Sequence, residues 1–308
     1  MIFLVILCVL LVIILGGSLY AYHSAFYSPK ENREQLPSFN GKPYDPYREE
    51  MKRVFQRLQE RPCEFVQTYS QDGLLLSARY YHVKNGAPLD IAFHGYRSSP
   101  LTDFCGGAAL SLELGHNLLL VDQRSHGKSQ GKSIAFGVQE RWDVLSWISY
   151  ALERFGGDVK IVLYGISMGA ATVLMASELE LPENVKGIIA DCPYSSPKAI
   201  ICKVAERRGL SSALVWPFIR VGARIYGGFG ITDSSAVSAV KKAKLPILLI
   251  HGEADNFVPC AMSHEIARSN PEHIQLYTFP NAGHGLSYLE DTSRYTKIVT
   301  EFMEKILS

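Results

Sequence analysis

Lys160-Ile161-Val162-Leu163-Tyr164-Gly165-Ile166-Ser167-Met168-Gly169-Ala170-Ala171-Thr172-Val173 is the stretch that decides the fold. A short apolar run rich in β-formers enters Gly165, and a run of small residues leaves Gly169. That order predicts a buried strand, a sharp turn and a helix. The pentapeptide Gly165 to Gly169 fits G-x-S-x-G. A serine there sits on a strained turn, and glycines beside it let the strand and helix meet without side chains colliding.

The same alternation extends on both sides. Apolar strands are expected at 89–93, 117–121, 159–164, 185–190, 246–250 and 274–279, with helices between them. An antiparallel pair, 65–69 and 74–83, precedes them around Gln71-Asp72-Gly73. Short continuous apolar strands separated by helices predict an α/β fold with a mostly parallel central sheet covered on both faces. Ligands then bind at the carboxyl ends of the strands. Residues 193–243 break the alternation and are too long for a plain loop, so they are expected to form a helical lid.

A serine hydroxyl needs a base to take its proton, and the imidazole needs a carboxylate to fix its tautomer. His284, in Asn281-Ala282-Gly283-His284-Gly285, follows the last strand and is the expected base. Asp255 follows the strand ending at His251 and is the expected acid. Its rivals are Asp191 and Asp122 at other strand ends, and Glu253 two residues away. The order Ser, Asp, His is the triad order of this strand–turn–helix class. Two backbone donors for an oxyanion are expected at Met168, directly after the serine, and at Tyr96 in His94-Gly95-Tyr96-Arg97.

These segments together resemble the α/β-hydrolase superfamily over residues 63–308, and within it bacterial single-chain hydrolases of the prolyl-oligopeptidase-like and esterase kind. The residues that carry the likeness are His94-Gly95-Tyr96, Asp122 to Gly127, the Ser167 turn, His251 to Asp255 and Gly283-His284-Gly285. The resemblance implies a triad of Ser167, Asp255 and His284, and a structural turn from Asp122 to Ser129 that supports the loops around the serine. It leaves the cleaved bond open among esters, thioesters and peptides. Carboxylic esters, small or lipid-like, are favoured. A peptidase, amidase or thioesterase on the same triad is the alternative, and a non-catalytic binding protein is disfavoured because every expected residue type is present.

Composition sets outer limits. The 308 residues are 47% hydrophobic and 20% charged, with a net charge of +1, so a folded domain is expected and nucleic acid is not an expected partner. None of the six cysteines forms a C-x-x-C pair, and no cofactor or metal is expected. Gly127 to Ser133 falls one residue short of a P-loop, and His264-Glu265 lacks the second histidine of a zinc helix. Ile2 to Tyr22 carries no charge and has no basic flank before it, which predicts a transmembrane anchor over 1–22 rather than a cleaved signal. A linker and surface helix are expected over 23–62. Lys30, Arg33, Lys42 and Arg48 against the α-amine alone put the catalytic body on the cytoplasmic side by a small margin. The lid is basic and amphipathic, with Lys198, Lys203, Arg207, Arg208, Arg220 and Arg224 among Leu214, Val215, Trp216, Phe218 and Ile219.

Overall fold

The computed structural model describes residues 1–28, 44–104 and 108–308. Most of the expected linker, 29–43, lies outside the described residues. The N-terminal run forms helix α1 (Ile2–Ala25), a candidate transmembrane segment by length and composition. After a short turn at Asp45–Tyr47, helix α2 (Arg48–Glu60) buries Met51, Val54, Phe55 and Leu58 at helical spacing.

Strands β1 (Glu64–Tyr69) and β2 (Leu75–Tyr81) form the antiparallel pair. There follow β3 (Leu89–Phe93), α3 (Pro100–Asp103), α4 (Ala108–Glu113), β4 (Asn117–Asp122) and α5 (Glu140–Phe155). Next come β5 (Ile161–Ile166), α6 (Met168–Ala176) and β6 (Val185–Asp191). The segment expected to form a lid holds α7 (Pro197–Arg207), α8 (Ser212–Ile225) and α9 (Ala236–Val240), of which α9 packs into the sheet core. The chain ends with β7 (Ile247–Gly252), α10 (Ala261–Ser269), β8 (Ile274–Phe279), α11 (Ser287–Glu290) and α12 (Thr292–Leu307).

All eight strands form one sheet in the order β1-β2-β4-β3-β5-β6-β7-β8. β2 pairs antiparallel with β4, and every later pairing is parallel. Successive strand residues face opposite sides, so one strand feeds two cores. Val162 and Tyr164 join α2, α3, α4 and α12 on one face. Ile161 and Leu163 join α5, α6, α9 and α10 on the other. That is why these strands read as continuous apolar runs rather than alternating ones.

A third apolar cluster lies outside these layers. It joins Ala21, Tyr22 and Phe26 near the end of α1 to Ile200, Ile201, Ile219 and Ala223 of the lid and to Met168 at the head of α6. The N-terminal helix therefore runs three residues past the expected boundary at Tyr22, and residues up to Ser28 are docked rather than linking. Tyr27 bridges to Ser133, the Ser28 N–H donates to Lys132 (2.9 Å), and the Ile134 N–H donates to Phe26 (2.8 Å). Polarity at His23, Ser24 and Ser28 suggested a linker, but the backbone here makes strand-like bonds that the side chains do not advertise.

Phe26 is fully buried, with its ring edge-on to Phe136 (5.8 Å) and Phe229 (5.3 Å). Phe26→Ala is expected to cost about 3–5 kcal/mol, read as a lowered melting temperature in detergent. Phe3→Ala, on the exposed part of α1, is expected to leave it unchanged. A second prediction concerns Asp191, where β6 ends. Burial pushes its carboxyl up to about 6, against the opposing hydrogen bond from the Tyr295 hydroxyl (3.0 Å). An unfolded carboxyl titrates near ~3.9. Between these values the folded state keeps a proton that the unfolded state has lost, so stability falls as pH rises through that window. Asp191→Asn is expected to melt above wild type at pH ~8 and level with it below pH ~4.

Candidate active site

β5 ends at Ile166, and Ser167 turns the chain into α6 with φ +56° and ψ −113°. This left-handed backbone is costly for a residue with a Cβ. The surrounding packing holds it: a Cβ on Gly169 would collide with the Phe93 carbonyl, and one on Gly165 would collide with Gly169. The turn lifts the serine above the sheet, where its side chain meets His284.

His284 Nε2 lies 2.9 Å from Ser167 Oγ, and His284 Nδ1 lies 2.6 Å from Asp255 Oδ2. The three residues predicted for the site are thus joined in one line. Asp255 is buried, and its Oδ1 accepts from the Phe257 (2.7 Å) and Val258 (2.8 Å) N–H groups. Its Oδ2 also stands 3.3 Å from His251 Nε2. Burial opposes ionisation of Asp255. Hydrogen bonds from His251, His284 and the Val258 N–H outweigh it and hold the carboxyl well below the usual carboxylate range. A permanently charged acid behind an imidazole fixes the proton on Nδ1 and leaves Nε2 to accept from the serine.

The rival acids are occupied elsewhere. Asp191 accepts from Tyr295, Asp122 accepts from the Lys128 N–H (2.9 Å), and Glu253 accepts from the Thr278 hydroxyl (2.6 Å). The Asp122–Ser129 turn steadies the loop after β3. His126 Nε2 accepts from the Arg97 N–H (3.0 Å), and the Gln123 side chain donates to the His94 carbonyl. Met168 is the first residue of α6, a position whose N–H has no intrahelical acceptor. Tyr96 lies in the loop after β3, next to Gly95, whose α-carbon faces Ser167. The Tyr96 ring stacks on Phe136 (5.0 Å), and its hydroxyl donates to the Ala25 carbonyl of α1 (2.8 Å).

Three neighbours of the line were not singled out from the sequence. Asp103 accepts from the Gly95 N–H (2.5 Å) and the Ser98 hydroxyl, and burial raises its carboxyl. Phe257 lies edge-on to His284 (5.1 Å). The Cys192 thiol is buried near Asp255 and His284, and burial followed by the charges of Asp191 and Asp255 raises it. An acid two turns beyond a strand and a cysteine just after one carry no local pattern, so only the folded geometry reveals them.

Comparison with known proteins identifies the fold. Solved structures with the same fold include the esterase Pf2001 of Pyrococcus furiosus (TM-score 0.66, 20% identity, 91% of this chain and 99% of that one). Est1E of Butyrivibrio proteoclasticus, solved with ferulic acid bound, aligns with TM-score 0.58 at 23% identity over 79% of this chain and 99% of that one. Among curated sequences, the uncharacterized protein YqkD of Bacillus subtilis (strain 168) is 27% identical over 64% of this chain and 65% of its own length. Protein bem46 of Schizosaccharomyces pombe is 25% identical over 62% of this chain and 58% of its own length. The match thus spans less than two thirds of either curated relative. The fold is that of the α/β hydrolases, and the family model for the prolyl oligopeptidase family matches residues 133–308, more than half of the sequence and all three members of the Ser167–His284–Asp255 line, so the chain belongs to the prolyl oligopeptidase family.

Proposed function

We propose that this chain is a serine hydrolase that cleaves carboxylic esters through an acyl-enzyme intermediate. The observation that carries the reading is the unbroken line from Ser167 Oγ through both nitrogens of His284 to Asp255. Ser167 attacks the acyl carbon while His284 Nε2 takes its proton. Asp255 stabilises the imidazolium that forms. The backbone N–H groups of Met168 and Tyr96 receive the developing oxyanion, each donor contributing about 2.7–4 kcal/mol. His284 then protonates the leaving alcohol, and water, deprotonated by the same imidazole, releases the acid.

Esterases among the structural neighbours support an ester substrate, whereas the family's name and the acylaminoacyl peptidase of Pyrococcus horikoshii (TM-score 0.58, 19% identity) support an amide. The triad serves either bond, and parallel turnover of p-nitrophenyl acyl esters and aminoacyl p-nitroanilides separates them. The charge-free helix α1 supports a membrane anchor, and with it a lipid-like acyl ester as substrate.

Ser167→Ala is expected to abolish both ester turnover and labelling by a fluorophosphonate probe, with the melting temperature retained. Persistent turnover would remove Ser167 from the mechanism. Asp255→Asn keeps the shape but not the charge that sets the tautomer, and kcat is expected to fall on the order of 10⁴-fold.

A further inference from the structure

Only part of α1 is free to enter a bilayer. Ile2 to Ile14 stand clear of the rest of the protein, and that length of helix rises about 20 Å. The hydrocarbon core of a membrane is about 30 Å thick. The charge-free stretch continues to Tyr22, but there one side, Ser18, Ala21 and Tyr22, is buried against the lid and only the other, with Leu19 and Tyr20, is exposed.

Lid helix α8 makes that contact. The Phe218 ring lies over Gly17, and a Cβ on Gly222 would stand 2.5 Å from the Ser18 carbonyl. The Tyr226 hydroxyl donates to the Leu15 carbonyl (3.1 Å). α8 is therefore fixed at the level of the stretch from Leu15 to Tyr22. Its inner side buries Ile219, Gly222 and Ala223. Its outer side leaves Leu214 72% and Ile225 55% exposed, with Val221 half-buried between them. That stripe adjoins the exposed apolar surface of α1. From α7 to the end of α8 there are six basic residues, Lys198, Lys203, Arg207, Arg208, Arg220 and Arg224, against one acid, Glu206.

We propose that α8 is itself embedded in an anionic phospholipid bilayer beside α1, its Leu214–Val221–Ile225 stripe in the acyl chains and Arg207, Arg208 and Arg220 among the headgroups. The inference rests on α1 being a membrane anchor. Immersing α8 together with the lower half of α1 supplies the ~10 Å of hydrocarbon thickness that the free part of α1 lacks. The stripe and flanking arginines have the composition of an interfacial helix. The lid, and the serine beneath it, then stand at the membrane surface rather than on a stalk above it.

The test uses the full-length protein in phosphatidylcholine–phosphatidylglycerol vesicles with brominated acyl chains, which quench tryptophan on contact. Leu214→Trp and Ile225→Trp are compared with Glu153→Trp, an exposed position on α5 far from the lid, each after subtraction of the wild-type signal. Several-fold stronger quenching at 214 or 225 than at 153 is expected. Vesicle flotation with no excess quenching at either lid position overturns the embedding of α8 while leaving the anchor standing. Failure of the protein to float with vesicles overturns the anchor, and this inference falls with it.

Discussion

The site depends on the close approach of α6 to the end of β3. Gly169 sits where any side chain would strike the Phe93 carbonyl, two residues beyond the left-handed backbone at Ser167. Every other part of the site is placed relative to that contact. On one side of β5 the strand order runs β6, β7, β8, so the loop bearing Asp255 arises two strands away and the loop bearing His284 follows β8. The strain at one serine is held by two cores, because β5 contributes alternate residues to both faces of the sheet.

Much of this was legible in the residues. Continuous apolar strands are read from composition, and the glycines around Ser167 identify a turn that nothing else would need. His284 and Asp255 emerge because they stand at strand ends on the correct side of the serine. Asp191 stands at such an end too, and sequence position alone cannot show that Tyr295, over a hundred residues later, has claimed its carboxylate. The same limit applies to Tyr96. Its place in the loop after β3 is readable, but the engagement of its hydroxyl with Ala25 is a contact across 71 residues.

The N-terminal helix shows how a periodic signal and a packing signal separate. Hydropathy marks Ile2 to Tyr22 as one uniform run, yet the folded chain uses it as two segments. The first is bare, and the second lays Ala21 and Tyr22 in the third apolar cluster while Leu19 and Tyr20 stay exposed. Small residues make the division: Gly17, Ser18 and Ala21 let α8 come close, and Gly222 answers them from the other side. Helix α1, the segment 193–243 and the Ser167 turn thus share one set of apolar contacts, with Met168 among its members.

That shared cluster also orders events in time. Residues 22–28 are made before their partners, which lie in the loops at 96–97 and 133–134 and beyond 218. Contacts closing loops of 71 to 211 residues incur the loop-closure entropy before they return any stability. One sheet face closes over a comparable span, since it joins α2 to α12. The docking of residues 22–28 is therefore completed only after α8 has been made, and the apolar cover over Met168 is completed with it.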